Sequence, residues 1–474
     1  MSRHRKVFHT FIIYFLSTFL AILSVGADLN GQSSATYAAI AVHDPGHNLA
    51  QKPYLGWSSW SLQSTHYAGV NPNGNYSYLT EANVLANALA MHRQLQSHGY
   101  NYINLDSGWF ADWNWNFHVD ANGRYAPDPV RFPHGLKWLG DQIHSLGLKF
   151  GIYLPVGMDQ KAYDGNYPVL GTSCTTQQIA VPGPVNTNGF GRGWVAIDYS
   201  NPCAQSYINS IANELAGWGV DFLKLDGVTP GSGKNGASAT DNRADVKAWS
   251  LALQHSGRAI QFVVSWSLDH NYASYWKQYT NGWRVDGDVE CYCNTLVTWD
   301  RSVVRRWTDV VPWTGDGGPG GWNNLDSLDV GVGSMDGLSD AERQSATTLW
   351  AIEAAPLYSG DDLTKLDSYG LSLLTNDEVI AVDQAGSLAK PVSQATNQQV
   401  WYAKNRDGSY TVALFNLDST TAIVQANWSD LGFTGSALVR NLWSHGNLGI
   451  VSSSFSASLD GHVSRLLNVR PIGH

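Results

Sequence analysis

The feature that most constrains the fold is an alternation of short apolar segments with longer helix-like segments between about residues 53 and 385. Helical character is found at residues 81–98, 134–146 and 204–218, and Ser339 and Glu342 have capping-box spacing before a helix that runs to about residue 353. Strands that alternate with helices form parallel sheets. The number of units predicts a (β/α)8 TIM barrel over residues 53–385. The main strand candidates are residues 102–106, 149–153, 221–226, 260–266, 283–285 and 355–358.

The pattern changes after about residue 385. Residues 400–403 and 410–416 are strand candidates, separated by a polar turn at 405–408 and with no helical segment between them. Short strands without intervening helices are typical of antiparallel sheets. Residues 390–474 are therefore predicted to form a C-terminal antiparallel β-sandwich, so that the fold class is α/β with a second, all-β domain.

The N-terminus has the layout of a secretory signal peptide. A basic start with Arg3, Arg5 and Lys6 precedes an apolar run at residues 7–23, and small residues follow at 25–27. This pattern predicts a signal peptide at 1–27, a mature tail at 28–52, and a secreted or periplasmic protein with no membrane association after signal removal. An uncleaved anchor helix is the alternative, because the apolar run is near the lower length limit for a membrane span.

Charge and cysteine content limit the possible partners. Lys and Arg total 29 against 39 Asp and Glu, for a net charge of −10, which argues against nucleic acid. In an oxidising compartment the four cysteines can pair in three ways. Cys174 with Cys203 is the most plausible pair, and Cys291 with Cys293 could bridge only through a tight local ring. We expect no metal, because zinc-ligand spacing is absent.

A Gly-x-Gly-x-x-Gly pattern at residues 315–320 resembles a nucleotide-binding sequence. It follows no clear strand and opens no helix, so it is interpreted as a loop. No cofactor is expected.

A first carboxylate of interest ends a predicted barrel strand, where the functional groups of such barrels gather. Asp226 closes the segment at 221–226, and Lys224 lies on the same face because strand side chains alternate with a period of two. A carboxylate beside an ammonium group stays ionised, as a nucleophile must. A salt bridge at the barrel rim is the structural alternative.

A second carboxylate, Asp288, lies in the acidic run at residues 286–290. Crowded carboxylates hold protons more tightly, which suits a general acid, although such a run is also typical of a solvated loop. Two carboxylates at different strand ends, in a chain with 20 Trp, indicate glycoside hydrolysis, because indole rings offer flat apolar faces to a sugar. Most of the tryptophans are expected in packing. The candidates for the pocket are Trp57, Trp109, Trp266 and Trp322.

Eight stretches in order carry a resemblance to a known family. They are residues 55–60, 102–106, 147–153, 222–226, 283–288, 318–323, 374–382 and 439–443. From about residue 54 to 445 the chain resembles glycoside hydrolase family 27, the retaining α-galactosidases and α-N-acetylgalactosaminidases.

The resemblance implies a barrel followed by a β-sandwich, and a secreted exo-glycosidase that hydrolyses terminal α-D-galactosides with retention of configuration. It implies Asp226 as the nucleophile and Asp288 as the general acid and base. The implied partner is a galactose-containing oligosaccharide or polysaccharide. The expected substrate-binding residues are Trp57, Asp106, Tyr153, Lys224, Trp266 and Arg284.

The chain also departs from this family's pattern. Asp106 is followed by Ser107, where α-galactosidases usually carry a second aspartate, and Gly227 follows the nucleophile candidate without the usual cysteine beyond it. Ser265 falls where α-galactosidases place a Glu. Activity on α-N-acetylgalactosaminides, β-L-arabinopyranosides or isomaltose-type dextran linkages therefore remains an alternative, as does a barrel that binds sugar without catalysis.

Overall fold

The computed structural model describes residues 48–182, 194–231 and 241–473. The predicted signal peptide and most of the predicted N-terminal tail lie outside these residues. The N-terminal part of the described chain contains eight parallel strands, which are β1 (Leu55–Ser58), β2 (Tyr102–Leu105), β3 (Lys149–Pro155), β4 (Phe222–Asp226), β5 (Gln261–Val264), β6 (Gly282–Arg284), β7 (Trp322–Asn324) and β8 (Leu357–Ser359). Their order in the sheet is β8-β1-β2-β3-β4-β5-β6-β7.

The two outer strands of this order come together and close the sheet. The backbone N–H of Leu328, just after β7, donates to the carbonyl of Tyr358 in β8 at 2.8 Å. The Tyr358 hydroxyl donates to Asp326 Oδ1, also at 2.8 Å. The prediction of a (β/α)8 barrel is thus confirmed.

Helices connect the strands and cover the barrel. Several begin where the sequence supplies a cap: the Asn201 side chain accepts from the N–H of Cys203, and Ser339 with Glu342 forms the predicted capping box. The helices are α1 (Trp60–Ser64), α2 (Glu81–Gln94), α3 (Gly135–Ser145), α4 (Gln160–Gly165), α5 (Pro202–Gly217), α6 (Arg243–His255), α7 (Ala273–Tyr279), α8 (Arg306–Asp309), α9 (Gly333–Asp336), α10 (Asp340–Ile352), α11 (Ser368–Leu374) and α12 (Asp377–Ala385).

The apolar pattern identifies β2 to β6 and β8 but misses β1 and β7. Strand β7 is polar, and its Asn323 is fully buried. The amide of Asn323 is satisfied on both sides, because it accepts from Trp283 Nε1 and donates to the carbonyl of Trp313, each at 2.8 Å. These tertiary partners satisfy the buried amide, so that a strand of this composition is tolerated in the barrel.

The C-terminal region is an antiparallel β-sandwich, as predicted. Its strands are β9 (Lys390–Pro391), β10 (Gln398–Lys404), β11 (Tyr410–Asn416), β12 (Ala422–Asn427), β13 (Ser436–Asn441), β14 (Gly446–Ser452), β15 (Ser454–Leu459) and β16 (Ser464–Ile472). Six strands form one sheet in the order β9-β10-β11-β16-β13-β14, and β12 pairs with β15 in the second sheet.

The larger sheet is covered on both faces. In β11, Val412 and Leu414 point into the core of the sandwich, whereas Ala413 and Phe415 belong to the core of the barrel region. The ring of Phe415 lies edge-on to Trp307, with 5.1 Å between their centroids. Strand β11 is therefore buried along its whole length, which explains its nearly continuous apolar sequence.

Two disulfides are formed. Cys174 pairs with Cys203 at the start of α5, as predicted, and Cys291 pairs with Cys293 around the single residue Tyr292. Among the described helices, none combines the length and the apolar character that crossing a membrane requires.

Candidate active site

A cavity of about 460 Å³ opens at the carboxyl ends of the barrel strands. This is the face at which barrels of this kind place their functional groups. Asp106 directly follows β2, and Asp226 is the last residue of β4. The polar residues that line the cavity are Asp106, Ser107, Lys224, Asp226 and Asp288.

Asp226 accepts a hydrogen bond on each carboxylate oxygen. Ser265 Oγ donates to Oδ1 at 2.6 Å, and the Tyr153 hydroxyl donates to Oδ2 at 3.1 Å. Burial, together with Asp226, holds the pKa of Tyr153 well above its ordinary value, so this hydroxyl remains a donor. The two neutral donors fix the plane of the carboxylate while it stays at the cavity wall.

Lys224 joins Asp226 and Asp106 electrostatically. Its side chain points to the same face of β4 as Asp226, and its Nζ donates to Asp106 Oδ2 at 2.7 Å. Burial opposes the lysine charge, but Asp106 and Asp226 outweigh it and raise the pKa of Lys224 above its ordinary value. The ion pair therefore places a positive and a negative charge side by side at the bottom of the cavity. Burial still raises the pKa of Asp106 above its ordinary value, and Lys224 opposes this shift.

Asp288 is held by a buried guanidinium. Arg284, the last residue of β6, donates from Nη2 to Asp288 Oδ1 at 2.5 Å and from Nη1 to Asp326 Oδ2 at 3.1 Å. The other oxygen of Asp288 accepts from the Tyr292 hydroxyl. Burial disfavours the arginine charge, but Asp326 and Asp288 outweigh burial and raise the pKa of Arg284 well above its ordinary value. The carboxylate thus reaches the cavity with both oxygens occupied.

Aromatic side chains form most of the remaining wall. Trp60 stacks on Tyr76 with 5.5 Å between ring centroids and 12° between planes, and Tyr76 in turn contacts Trp115 at 5.0 Å. Such faces suit the C–H side of a sugar ring. The aromatic residues of the wall are Trp60, Tyr76, Trp115, Phe117, Tyr153, Trp194 and Tyr292.

Some residues predicted for the pocket do not line it. Trp57 is fully buried, and its Nε1 donates to the carbonyl of Asp361 at 2.8 Å. Trp109 and Trp322 are buried in a similar way and donate to backbone carbonyls. Trp266 is half-buried, with its indole nitrogen near Gly287 in the loop that carries Asp288.

Arg284 also stands behind the wall, where it acts on the cavity through Asp288. Sequence reasoning missed Trp60, Tyr76, Trp115 and Tyr292 as wall residues. Trp60 had a signal, because it lies three positions after Trp57 in one of the family-like stretches. The others become recognisable only when the loops are folded.

One group of carboxylates in the described chain could approach a common cation. It consists of Asp288, Glu290 and Asp326. Arg284 already bonds to two of the three, so a guanidinium compensates their charge. The group is therefore better described as part of the arginine network than as a metal centre.

The barrel, with carboxylates from separate strand ends beside aromatic rings, defines a glycoside hydrolase. A family profile described as "Alpha galactosidase A" matches residues 52–178 and 195–385, and one described as "Alpha galactosidase C-terminal beta sandwich domain" matches residues 395–469. The chain belongs to glycoside hydrolase family 27, the α-galactosidase family.

Curated relatives agree with this assignment. The chain is 31% identical to an α-galactosidase of Cyamopsis tetragonoloba, over 90% of this chain and 88% of the relative. It is 31% identical to an α-galactosidase of Coffea arabica, over 90% and 95% of the two chains. It is 30% identical to human α-galactosidase A, over 78% and 75%.

Solved structures extend the comparison. A family 27 β-L-arabinopyranosidase from Geobacillus stearothermophilus superposes with a TM-score of 0.80 at 28% identity, covering 90% of this chain and 99% of the other. The α-galactosidase I of Mortierella vinacea superposes with a TM-score of 0.69 at 26% identity, covering 90% and 98%. The chain is thus a glycoside hydrolase of the α-galactosidase type.

Proposed function

We propose that this chain is an exported, retaining exo-glycosidase that hydrolyses terminal α-D-galactosides, with Asp226 as the nucleophile and Asp288 as the general acid and base. The observation that carries the proposal is that both carboxylates line one cavity in different hydrogen-bonding environments. Asp226 accepts from two neutral hydroxyls, whereas Asp288 lies against the Arg284 guanidinium.

With these roles, the reaction is a double displacement. In the first step Asp226 attacks the anomeric carbon, and Asp288 transfers a proton to the departing glycosidic oxygen, so that a glycosyl ester forms on Asp226 and the aglycone leaves as an alcohol. In the second step Asp288 takes a proton from a water molecule while the water oxygen attacks the anomeric carbon, so that the bond between this carbon and Asp226 breaks and the Asp226 carboxylate is released. Two inversions at one carbon retain the configuration.

The rest of the cavity suits a small polar sugar. Asp106, paired with Lys224, offers an anionic acceptor for sugar hydroxyls, and the Lys224 ammonium is a donor beside it. Trp60 supplies an apolar face at the wall. This combination of a charged bottom and an aromatic side supports binding of one terminal residue.

Export is part of the proposal. It rests on the signal-like N-terminal sequence and on two disulfides, which form and persist in oxidising compartments.

The test of the mechanism uses two variants and a matched control. Asp226→Asn should lose turnover by several orders of magnitude while sugar binding is kept, because the attacking group is gone. Asp316→Asn is the control, since Asp316 is a carboxylate outside the cavity that pairs with His270 and Lys277. A fall of less than about tenfold for Asp226→Asn would remove it from the nucleophile role.

Asp288→Ala should affect substrates with poor leaving groups far more than aryl glycosides with good ones, since only the former need a proton on the departing oxygen. Azide should restore part of the activity by attacking the glycosyl-enzyme without base assistance. Equal losses on both substrate types, with no azide product, would exclude Asp288 as the acid and base.

A second candidate substrate is favoured by Ser107, which lines the cavity beside Asp106 where α-galactosidases carry another carboxylate. α-D-Galactose and β-L-arabinose rings differ by the hydroxymethyl group on C5, and the G. stearothermophilus structure described above acts on β-L-arabinopyranosides. The expectation that galactoside activity is retained rests on five residues that match the family's pattern, which are Trp57, Asp106, Tyr153, Lys224 and Arg284. Three of them, Asp106, Tyr153 and Lys224, line the cavity.

The measurement is kcat/KM of the wild type and Ser107→Asp on matched aryl α-galactosides and β-L-arabinopyranosides, with the N-acetyl analogue and dextran assayed in parallel. If galactose is the substrate, Ser107→Asp should lower KM for the galactoside, because a carboxylate adds charge-assisted hydrogen bonds. A wild type that prefers the arabinopyranoside by tenfold or more, about 1.4 kcal/mol, would reassign the substrate and leave the mechanism standing.

A further inference from the structure

The Tyr292 hydroxyl is hydrogen-bonded to Asp288, the carboxylate to which the proposed function assigns the acid and base roles. It donates to Asp288 Oδ2, while Arg284 donates to Oδ1 at 2.5 Å from the other side. Trp60 Nε1 in turn donates to the Tyr292 oxygen at 3.2 Å. A cation and a phenol therefore hold the two oxygens of Asp288, and Oδ2 is the oxygen that does not face the guanidinium.

The backbone at Tyr292 is unusual for a tyrosine. Its φ is +51°, in the left-handed region that bulky residues rarely adopt. Cys291 and Cys293 are joined by a disulfide across this single residue, which closes a small covalent ring of the backbone and the disulfide. This disulfide ring restricts the backbone on both sides of Tyr292.

The disulfide ring formed by residues 291–293 is also hydrogen-bonded to neighbouring segments. The Cys291 N–H donates to the carbonyl of Leu296 at 3.0 Å, and the Cys293 carbonyl accepts from the N–H of His66 at 2.7 Å. His66 lies just after α1, so the ring connects the Asp288 loop to the segment that follows β1. The backbone position from which the Tyr292 side chain extends is thus set by covalent and hydrogen-bonded constraints outside the cavity.

The charges around the pair are consistent with a permanent donor. Tyr76 and Asp226 line the same cavity as the pair, whereas Arg284, Glu290 and Asp326 are buried behind its wall. Burial and the Asp288 carboxylate raise the pKa of Tyr292 above its ordinary value. The hydroxyl therefore keeps its proton over the working range of a glycosidase.

We propose that Tyr292, held by the Cys291–Cys293 ring, is a positioning residue for Asp288 in the glycosidase reaction, an inference that rests on the proposed role of Asp288. Because Arg284 occupies Oδ1, the proton that Asp288 exchanges is carried on Oδ2, where Tyr292 fixes its direction. When Asp288 is ionised and takes a proton from water, the Tyr292 hydroxyl stabilises its charge.

The experiment compares pH profiles of kcat/KM on an aryl glycoside with a good leaving group and on one with a poor leaving group. Tyr292→Phe removes the donor to the carboxylate, so the alkaline limb should move to higher pH by about one unit. The effect should appear mainly in kcat. Tyr76→Phe is the matched control: it removes a hydroxyl from the same aromatic wall that has no hydrogen bond to Asp288 among the described contacts, and the limb should stay in place whatever happens to KM.

The ring is tested separately. Cys291→Ser with Cys293→Ser should move the limb in the same direction as Tyr292→Phe, whereas Cys174→Ser with Cys203→Ser should not. A shift in Tyr292→Phe without one in the folded Cys291/Cys293 variant would overturn the role of the ring. If that variant does not fold, Tyr292→Phe alone decides the role of the tyrosine.

An unchanged limb in Tyr292→Phe, with a circular dichroism spectrum like that of the wild type, would overturn the proposal. The Asp288→Ala variant separates this failure from a failure of the proposed function. If Asp288→Ala shows the leaving-group dependence and azide rescue, Asp288 keeps its role and only the inference about Tyr292 falls. If it shows neither, both fall.

Discussion

Glu290 is a buried acid whose protonation couples the stability of the barrel to pH. Its side chain is 4% exposed, and Oε1 accepts from Ser61 at 2.7 Å and from Ser327 at 3.0 Å. Oε2 has no hydrogen-bond partner within the described part of the chain. Burial, followed by the charges of Asp326 and Asp288, raises the pKa of Glu290 from 4.5 to about 8.

The raised pKa of Glu290 determines how the free energy of unfolding depends on pH. Between pH 4.5 and about 8 the folded state keeps a proton on Glu290 that the unfolded state has lost. The contribution to the free energy of unfolding is therefore fully present below pH 4.5 and is lost as the pH rises through about 8. At about 1.4 kcal/mol for each pH unit, the loss amounts to at most about 5 kcal/mol.

Glu290→Gln keeps the shape of the side chain and removes its titration. Urea unfolding of the wild type and the variant, followed by tryptophan fluorescence at about pH 5 and about pH 9, measures the difference. The variant should be close to the wild type at the lower pH and more stable by up to about 5 kcal/mol at the higher pH. Because the comparison is between variants, the pH dependence of the groups that do not interact with Glu290 cancels. The same pH dependence in both proteins would refute the reasoning.

Two further predictions concern Lys224 and Glu353. Lys224→Met leaves the Asp106 carboxylate buried without its ion-pair partner. We expect kcat/KM on an aryl galactoside to fall at least about a hundredfold, equivalent to about 3 kcal/mol, while the circular dichroism spectrum is unchanged. A loss below about threefold would contradict the assigned ion pair. Glu353 is fully buried, neither of its carboxylate oxygens has a partner in the described chain, and burial raises its pKa well above the ordinary value. The wild type should therefore lose stability as the pH rises from 4.5 through the raised pKa. Glu353→Gln should then have a higher Tm than the wild type at about pH 7, and this difference in Tm should be smaller at about pH 5. A variant Tm equal to or below that of the wild type at both pH values would count against a protonated Glu353.

The sequence was informative about the fold wherever local pattern and tertiary role coincide. Strand β4 (Phe222–Asp226) is apolar with a polar end, so its type and its functional end could both be predicted. Strand β7 (Trp322–Asn324) could not, because the burial of Asn323 depends on Trp283 and Trp313, which are distant in sequence. The β-sandwich was predictable from the absence of helices, but the division of its strands between two sheets was not.

The candidate site shows the same limit. Side chains alternate between the two faces of a β-strand, so Lys224 and Asp226 could be assigned to one face from the sequence alone. For the tryptophans, composition could suggest a sugar site but not which indole reaches it, and Trp57 proved to be core while Trp60 lines the cavity. Tyr292 was beyond prediction, because its position depends on a local ring closure and on the contact of that ring with His66.

The contacts between the β-sandwich and the barrel limit where this enzyme can be truncated or fused to another protein. Ser345 and Thr348 of α10 bond to His462 and Ser464, so the two regions share polar contacts as well as the apolar face of β11. A chain cut between Ala385 and Lys390 would expose that seam to water on the barrel side and invite aggregation. A chimera that borrows this catalytic scaffold should therefore carry the C-terminal sheets with it, and grafting should begin beyond Ile472.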